Sequence, residues 1–141
     1  LYRWTKTKYW PPKQSKMILM FQKEVANRII AEPNSKSYGK LSVVVQSRYN
    51  ISKLLDVPSI LFTPAPKVDG TILEFTPHLD YQSIEIGKID EVSKAAFSQR
   101  RKKIKNNMSK YIEILEMLSI DQNLRPENLS VLNYCEIAKN I

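Results

Sequence analysis

The chain has 141 residues, 43% hydrophobic and 26% charged, with a formal charge of +8 and a sequence pI of about 9.6. That length suits one domain or parts of two, and the charge favours an anionic partner, nucleic acid before membrane surface. A single cysteine, Cys135, and a single histidine, His78, exclude an internal disulfide and argue against a metal site; no apolar run reaches the roughly 18 residues needed to span a bilayer, no signal peptide opens the chain, and a reducing, cytoplasmic setting is expected.

In chain order, Leu1-Tyr2-Arg3-Trp4 carries no initiator Met and no helix cap. It reads as the tail of a helix already under way, so a piece of a longer protein is expected. Tyr2, Trp4, Tyr9 and Trp10 stand among lysines before Pro11-Pro12; aromatic packing is the first reading and RNA stacking the second. Residues 15–21 are a short, nearly continuous apolar run, which suits a strand buried on both faces in a parallel or mixed sheet. Residues 22–31 change period, with Phe21, Val25 and Ile29 four apart and Glu24 four before Arg28, and predict a helix. Residues 32–39 form a polar loop with no Gly-x-Gly-x-x-Gly and no P-loop pattern. Residues 41–49 are ambiguous: Val43-Val44-Val45 favours a strand, while Leu41, Val44, Val45 and Arg48 fit a helix face. Residues 51–57 read as a strand.

The stretch Leu61-Phe62-Thr63-Pro64-Ala65-Pro66-Lys67-Val68-Asp69-Gly70 comes next. Each proline fixes its own φ and pushes its predecessor out of the helical region, so a stiff strut close to polyproline II is expected. Asp69-Gly70 supplies a turn and residues 71–76 a strand stopped by Pro77. Phe62 has two readings here: a plug in the core, or an exposed platform for a flat ligand with Lys67 beside it for a phosphate. His78 reads as an exposed residue after the strand.

Residues 79–89 show no clear period. From Asp90, a plausible N-cap, nearly everything reads as helix, and an apolar face runs through Ile104, Met108, Tyr111, Ile112, Leu115 and Leu118. Pro126 opens a short turn, and Ser130 caps a last helix through Lys139, buried through Val131, Leu132, Cys135 and Ala138. The domain change is expected near residue 80. Arg100, Arg101, Lys102, Lys103 and Lys105 crowd less than two predicted helical turns. Like charges so dense repel unless a partner neutralises them. A phosphate backbone is preferred to a bare solvated face, with Gln99, Asn106 and Asn107 free to bond sugars or phosphates.

Taken together, Phe21-Gln22-Lys23-Glu24-Val25-Ala26-Asn27-Arg28, Pro33-Asn34-Ser35-Lys36-Ser37-Tyr38-Gly39, Phe62-Thr63-Pro64-Ala65-Pro66-Lys67-Val68-Asp69, Phe97-Ser98-Gln99-Arg100-Arg101-Lys102 and Pro126-Glu127-Asn128-Leu129-Ser130-Val131 resemble the ribosomal RNA adenine dimethyltransferases, nearest to their bacterial small-subunit branch. Any one motif is weak; five in the family's order over nearly the whole chain are strong. Gly70 departs from the serine usual there, with little consequence expected.

The resemblance implies an α/β fold: the rear part of a Rossmann-like methyltransferase sheet in residues 1–80, then a small all-α rRNA-binding domain in residues 81–141. It turns residues 41–46 into helix. It implies transfer of methyl groups from S-adenosylmethionine to N6 of two adjacent adenines near the 3′ end of 16S rRNA; separately, a monomer with no membrane partner and no metal is expected. The family's Gly-rich cofactor loop, acidic ribose ligand and Asn-Leu-Pro-Tyr motif are missing, so they would lie upstream of Leu1. The chain alone is expected neither to bind the cofactor nor to be active. Phe62 matches the family's adenine-stacking aromatic, Lys67 would lie near a flanking phosphate, and Gln99, Arg100, Arg101, Lys102, Lys103 and Lys105 would meet RNA. A related large-subunit methyltransferase and a non-catalytic RNA-binding assembly factor are the alternatives.

Overall fold

A computed structural model describes residues 16–77, 80, 81 and 83–141. The expectations for residues 1–15 and for His78 lie outside them. Three strands, β1 (Met17–Gln22), β2 (Tyr49–Val57) and β3 (Gly70–Pro77), form a sheet in the order β1-β3-β2. Both pairings are antiparallel, with Leu19 opposite Leu73 and Ile51 opposite Phe75. A bulge between Lys53 and Leu55 shifts the β2 register.

Strand β1 is not buried on both faces. Its residues alternate between half-buried and exposed, and Ile18 and Met20 stand 62% and 53% exposed. A continuous apolar run carries no periodicity from which a bare face could be told. Met17, Leu19 and Phe21 point the other way, toward α1 (Lys23–Ile29). There Ala26, Ile29, Val45, Tyr49, Leu73 and Phe75 make a small core, with the Phe75 ring edge-on to Phe21 and Tyr49 at 5.9 and 5.7 Å. Glu24 and Arg28 form the expected pair at 2.7 Å. The ambiguous segment is helix: α2 (Lys40–Gln46) buries Ser42, Val43, Val44 and Val45.

The larger core belongs to the helices α3 (Ile86–Ala96), α4 (Ile104–Asn107), α5 (Ile112–Met117) and α6 (Val131–Lys139). Ile104, Met108, Tyr111 and Leu115 are buried, as their spacing predicts. Ala31, Tyr38 and Val43 from the earlier part of the chain join this core. Ser130 caps α6, its Oγ accepting the Asn133 N–H at 3.2 Å. Two expectations give way. Asp90 lies inside α3, which starts at Ile86 after Glu85, and its carboxylate pairs with Lys40 at 2.8 Å. Leu132 is 49% exposed, and Tyr134 and Ile137 fill the place assigned to it.

Candidate nucleic-acid interface

Between β2 and β3 the chain runs through a 3-10 turn, Ser59–Leu61, and then the proline loop. Every residue from 61 to 69 is exposed. The Thr63–Pro64 peptide is cis, and the loop bends at Phe62 and again at Lys67, so the straight strut does not form. Phe62 belongs to neither core and is 37% exposed. With Pro64, Pro66 and Val68 it faces Met20, Phe21 and Gln22 at the end of β1 across a cleft of about 440 Å³. The walls are largely hydrocarbon and aromatic, with Gln22 and Asp69 the polar residues among them. Such a slot takes a flat, largely apolar ring with a polar edge. Lys67 stands exposed on the same loop, next to the cleft-lining Pro66 and Val68, with no bound partner among the described residues.

The basic run is not one helix. Helix α3 ends at Ala96, a 3-10 turn covers Phe97–Gln99, residues 100–103 form a turn, and α4 starts at Ile104. The cause is internal bonding. The Asn107 side chain donates to the Ala96 and Gln99 carbonyls at 2.8 and 2.9 Å, and the Ile104 N–H goes to the Leu124 carbonyl at 2.8 Å. Asn107 is therefore turned inward, away from the sugar or phosphate contact proposed for it. A turn also separates charges that a helix would stack, and the cations follow the negative end of α3.

Within this turn the cations differ. Arg100 is partly committed: its guanidinium donates to the Ser35 carbonyl at 3.1 Å and lies 3.9 Å from the Glu127 carboxylate. Lys103 and Lys105 both reach the neutral Asn123 Oδ1 at 3.3 Å, which holds two positive charges together without cancelling either. The side chains of Arg101 and Lys102 are exposed with no partner among the described residues, and the exposed Gln99 side chain likewise has none, its main-chain carbonyl accepting from Asn107 and Lys102. Lys36, in the loop read from sequence as a connector, is also exposed, beside the Ser35 carbonyl that Arg100 grips. No sequence signal linked the two. Among the described residues no hydrogen bond, ion pair or ring contact joins the proline loop to the basic turn, so these are two surfaces rather than one constellation.

Cys135 and the tyrosines are no part of either surface. Burial pushes the Cys135 thiol up to about 12, against a smaller opposing effect of Arg48, and raises Tyr38 and Tyr134 above the ordinary phenol range. Among the described residues no group of His, Cys, Asp and Glu could hold a metal ion, and no helix is long and apolar enough to cross a membrane.

Comparison with known proteins adds the following. A family model described as ribosomal RNA adenine dimethylase matches residues 2–141. A protein named ribosomal RNA small subunit methyltransferase A from Citrobacter koseri is 44% identical over 126 residues, covering 86% of this chain and 46% of that one. Its namesake from Wigglesworthia glossinidia brevipalpis is 40% identical over 129 residues, covering 89% and 49%. The chain thus spans about half the length of the curated relatives it matches. Among solved structures, a dimethyladenosine transferase from Plasmodium falciparum superposes with a TM-score of 0.83 at 20% identity, over 96% of this chain and 60% of that one. A 23S rRNA methyltransferase, ErmE, does so with a TM-score of 0.57 at 15% identity, over 92% and 56%. The fold is therefore that of a methyltransferase sheet segment with a helical part after it.

Proposed function

Since the chain belongs to the ribosomal RNA adenine dimethylase family, we propose that it is the C-terminal half of an enzyme that dimethylates N6 of two adjacent adenines near the 3′ end of 16S rRNA. The relatives' small-subunit name supports the small subunit over the large one. In this reading residues 1–80 complete the catalytic domain and residues 81–141 are its helical rRNA-binding domain.

The observation that carries the reading to a site is the cleft beneath Phe62. The adenine amine is a poor nucleophile because its lone pair is delocalised into the ring. The base must leave its stack and be held in line with the methyl donor. Phe62 offers a face for the flipped ring, Met20 and Phe21 line the slot, and Lys67 takes a flanking phosphate. Arg101, Lys102, Lys103 and Lys105 hold the backbone of the same RNA farther off, with Gln99 beside them; Arg100 contributes charge while anchoring the turn.

The methyl donor of this reaction is S-adenosylmethionine. This chain's residues do not fit it: its three glycines, Gly39, Gly70 and Gly87, sit on separate elements and form no cradle. Holding the donor is assigned to the preceding half of the enzyme.

The test is single-turnover methylation of the small-subunit particle by the full-length protein at saturating cofactor. Base–aromatic stacking is worth roughly 1–3 kcal/mol, so Phe62→Leu slows the step roughly 5- to 150-fold, while Phe62→Tyr keeps most of the rate. RNA affinity moves little, because phosphate contacts dominate it. A Leu variant that methylates at the parent rate would remove Phe62 from the site.

A further inference from the structure

We infer that Asp69 is a positioning residue, whose carboxylate ties the two ends of the proline loop together and so sets where Phe62 stands over the cleft. The inference rests on the reading of Phe62 as the adenine platform. Asp69 Oδ1 accepts the Ser59 backbone N–H at 2.9 Å. The peptide carbonyl of the same residue accepts the N–H of Lys23, the first residue of α1, at 2.9 Å. One residue thus fastens the far end of the loop to its near end and hangs both on the β1–α1 junction. That junction supplies Met20, Phe21 and Gln22, the opposite wall of the cleft. From Ser59 to Phe62 is a single turn, closed by the Phe62 N–H to the Ser59 carbonyl at 3.2 Å and the Leu61 N–H to the Pro58 carbonyl at 3.1 Å.

Little else fixes the loop. Residues 61–69 are exposed and belong to neither core. Among the described residues, no other side-chain hydrogen bond or ion pair ties residues 58–69 to one another or to the rest of the chain. Phe62 is 37% exposed and joins neither core, so contact with the cleft walls alone leaves its place loosely set and the hydrogen bonds at the base of the loop define it. A carboxylate accepting a peptide N–H makes a bond roughly twice as strong as a neutral acceptor would. The position matters because a misplacement of about 1 Å at a reacting centre can cost on the order of 10²-fold in rate.

The test uses the full-length protein in the same single-turnover assay. Asp69→Ala lowers the rate about 10-fold, while Asp69→Asn, which keeps a neutral and therefore weaker acceptor oxygen at the same place, recovers part of it. The loss falls on the rate at saturation, and RNA affinity and melting temperature stay near the parent values. Since Asp69 acts through Phe62, the two changes do not multiply: Phe62→Leu with Asp69→Ala is within about two-fold of Phe62→Leu alone. If Phe62→Leu by itself leaves the rate intact, the platform reading falls and takes this inference with it. If Phe62→Leu slows the enzyme but Asp69→Ala does not, or the two losses multiply, the positioning role alone is overturned.

Discussion

Around α6 the large side chains are enclosed, whereas the sheet is enclosed on one side. Ile104, Met108, Leu115 and Tyr134 are 0% exposed, while Ile18, Met20 and Leu55, on the face of the sheet away from α1, are 62%, 53% and 57% exposed. The helical part even buries hydroxyls, and each finds an acceptor: Tyr38 Oη donates to the Leu129 carbonyl at 2.9 Å and Tyr134 Oη to the Pro126 carbonyl at 2.8 Å. Packing therefore defines the helical part. Geometry on the open side of the sheet depends on strand register and a few hydrogen bonds, and that is where the aromatic cleft lies.

The largest expected effect tests this contrast directly. Leu115→Ala leaves a hole in a closed core and costs about 2–5 kcal/mol. Leu55→Ala removes a side chain from an open surface and stays within about 0.5 kcal/mol. Urea unfolding monitored by circular dichroism compares the two. A comparable loss at Leu55 would mean that the sheet's bare face is covered in solution.

Next is the basic turn, where the helical part meets solvent. Arg101→Ala with Lys102→Ala leaves the melting temperature unchanged and lowers the salt slope of RNA binding by roughly 0.7 to 0.9 for each phosphate no longer neutralised. Arg100→Ala differs, because it also frees the Ser35 carbonyl and strips the Glu127 carboxylate of its only ion-pair partner among the described residues. It should cost about 1 kcal/mol of stability on top of its effect on binding. If all three arginine and lysine changes act alike on folding, the division between anchor and free cation is wrong.

How much was legible follows the same division. Helix α6 could be read to the residue at both ends, because Ser130 is a local cap with a local partner. The apolar face through Ile104, Met108, Tyr111 and Leu115 was visible from spacing alone. The basic run was misread as helix because what breaks it, Asn107 turned back onto Ala96 and Gln99, is a side-chain choice that periodicity does not record. Asp90 was misread as a cap because its true partner, Lys40, lies 50 positions earlier in the chain. The motif order pointed to Phe62, and nothing local revealed that Asp69, a turn residue by composition, reaches back to Ser59.

The buried groups of the helical part give a smaller effect with a defined sign. Burial holds the Cys135 thiol up to about 12 from an ordinary 9.0, and raises Tyr38 and Tyr134 above an ordinary 10.0. Below pH 9 both folded and unfolded chains keep these protons, and they contribute no pH dependence. Above it the unfolded chain releases protons that the folded chain retains, so stability falls as pH rises from about 9 toward 12. Melting curves across that range should show the decline, and Tyr134→Phe should flatten it.

The smallest effect is expected at Gly70, where the cleft meets the sheet. The position is buried at the start of β3, and a Cβ there would stand 3.2 and 3.3 Å from Met20 Sδ and Cγ and 3.5 Å from the Phe21 carbonyl oxygen. No glycine in the described chain has positive φ, so serine needs no strained backbone. Replacing glycine narrows the unfolded ensemble and stabilises by about 0.4–1 kcal/mol where the fold accepts the side chain. Against that stands the crowding by Met20, a flexible thioether that is half exposed and free to swing outward. The two nearly cancel, and Gly70→Ser should change stability by less than about 1 kcal/mol. In a Met20→Ala background the obstacle is gone, so the same substitution should be more favourable by a few tenths of a kcal/mol, on the order seen for coupled neighbours. Thermal melting of the four proteins decides it. A penalty above about 2 kcal/mol that persists without the Met20 side chain would identify the rigid Phe21 carbonyl as the obstacle, and this corner of the open sheet would then be as tightly set as the helical core.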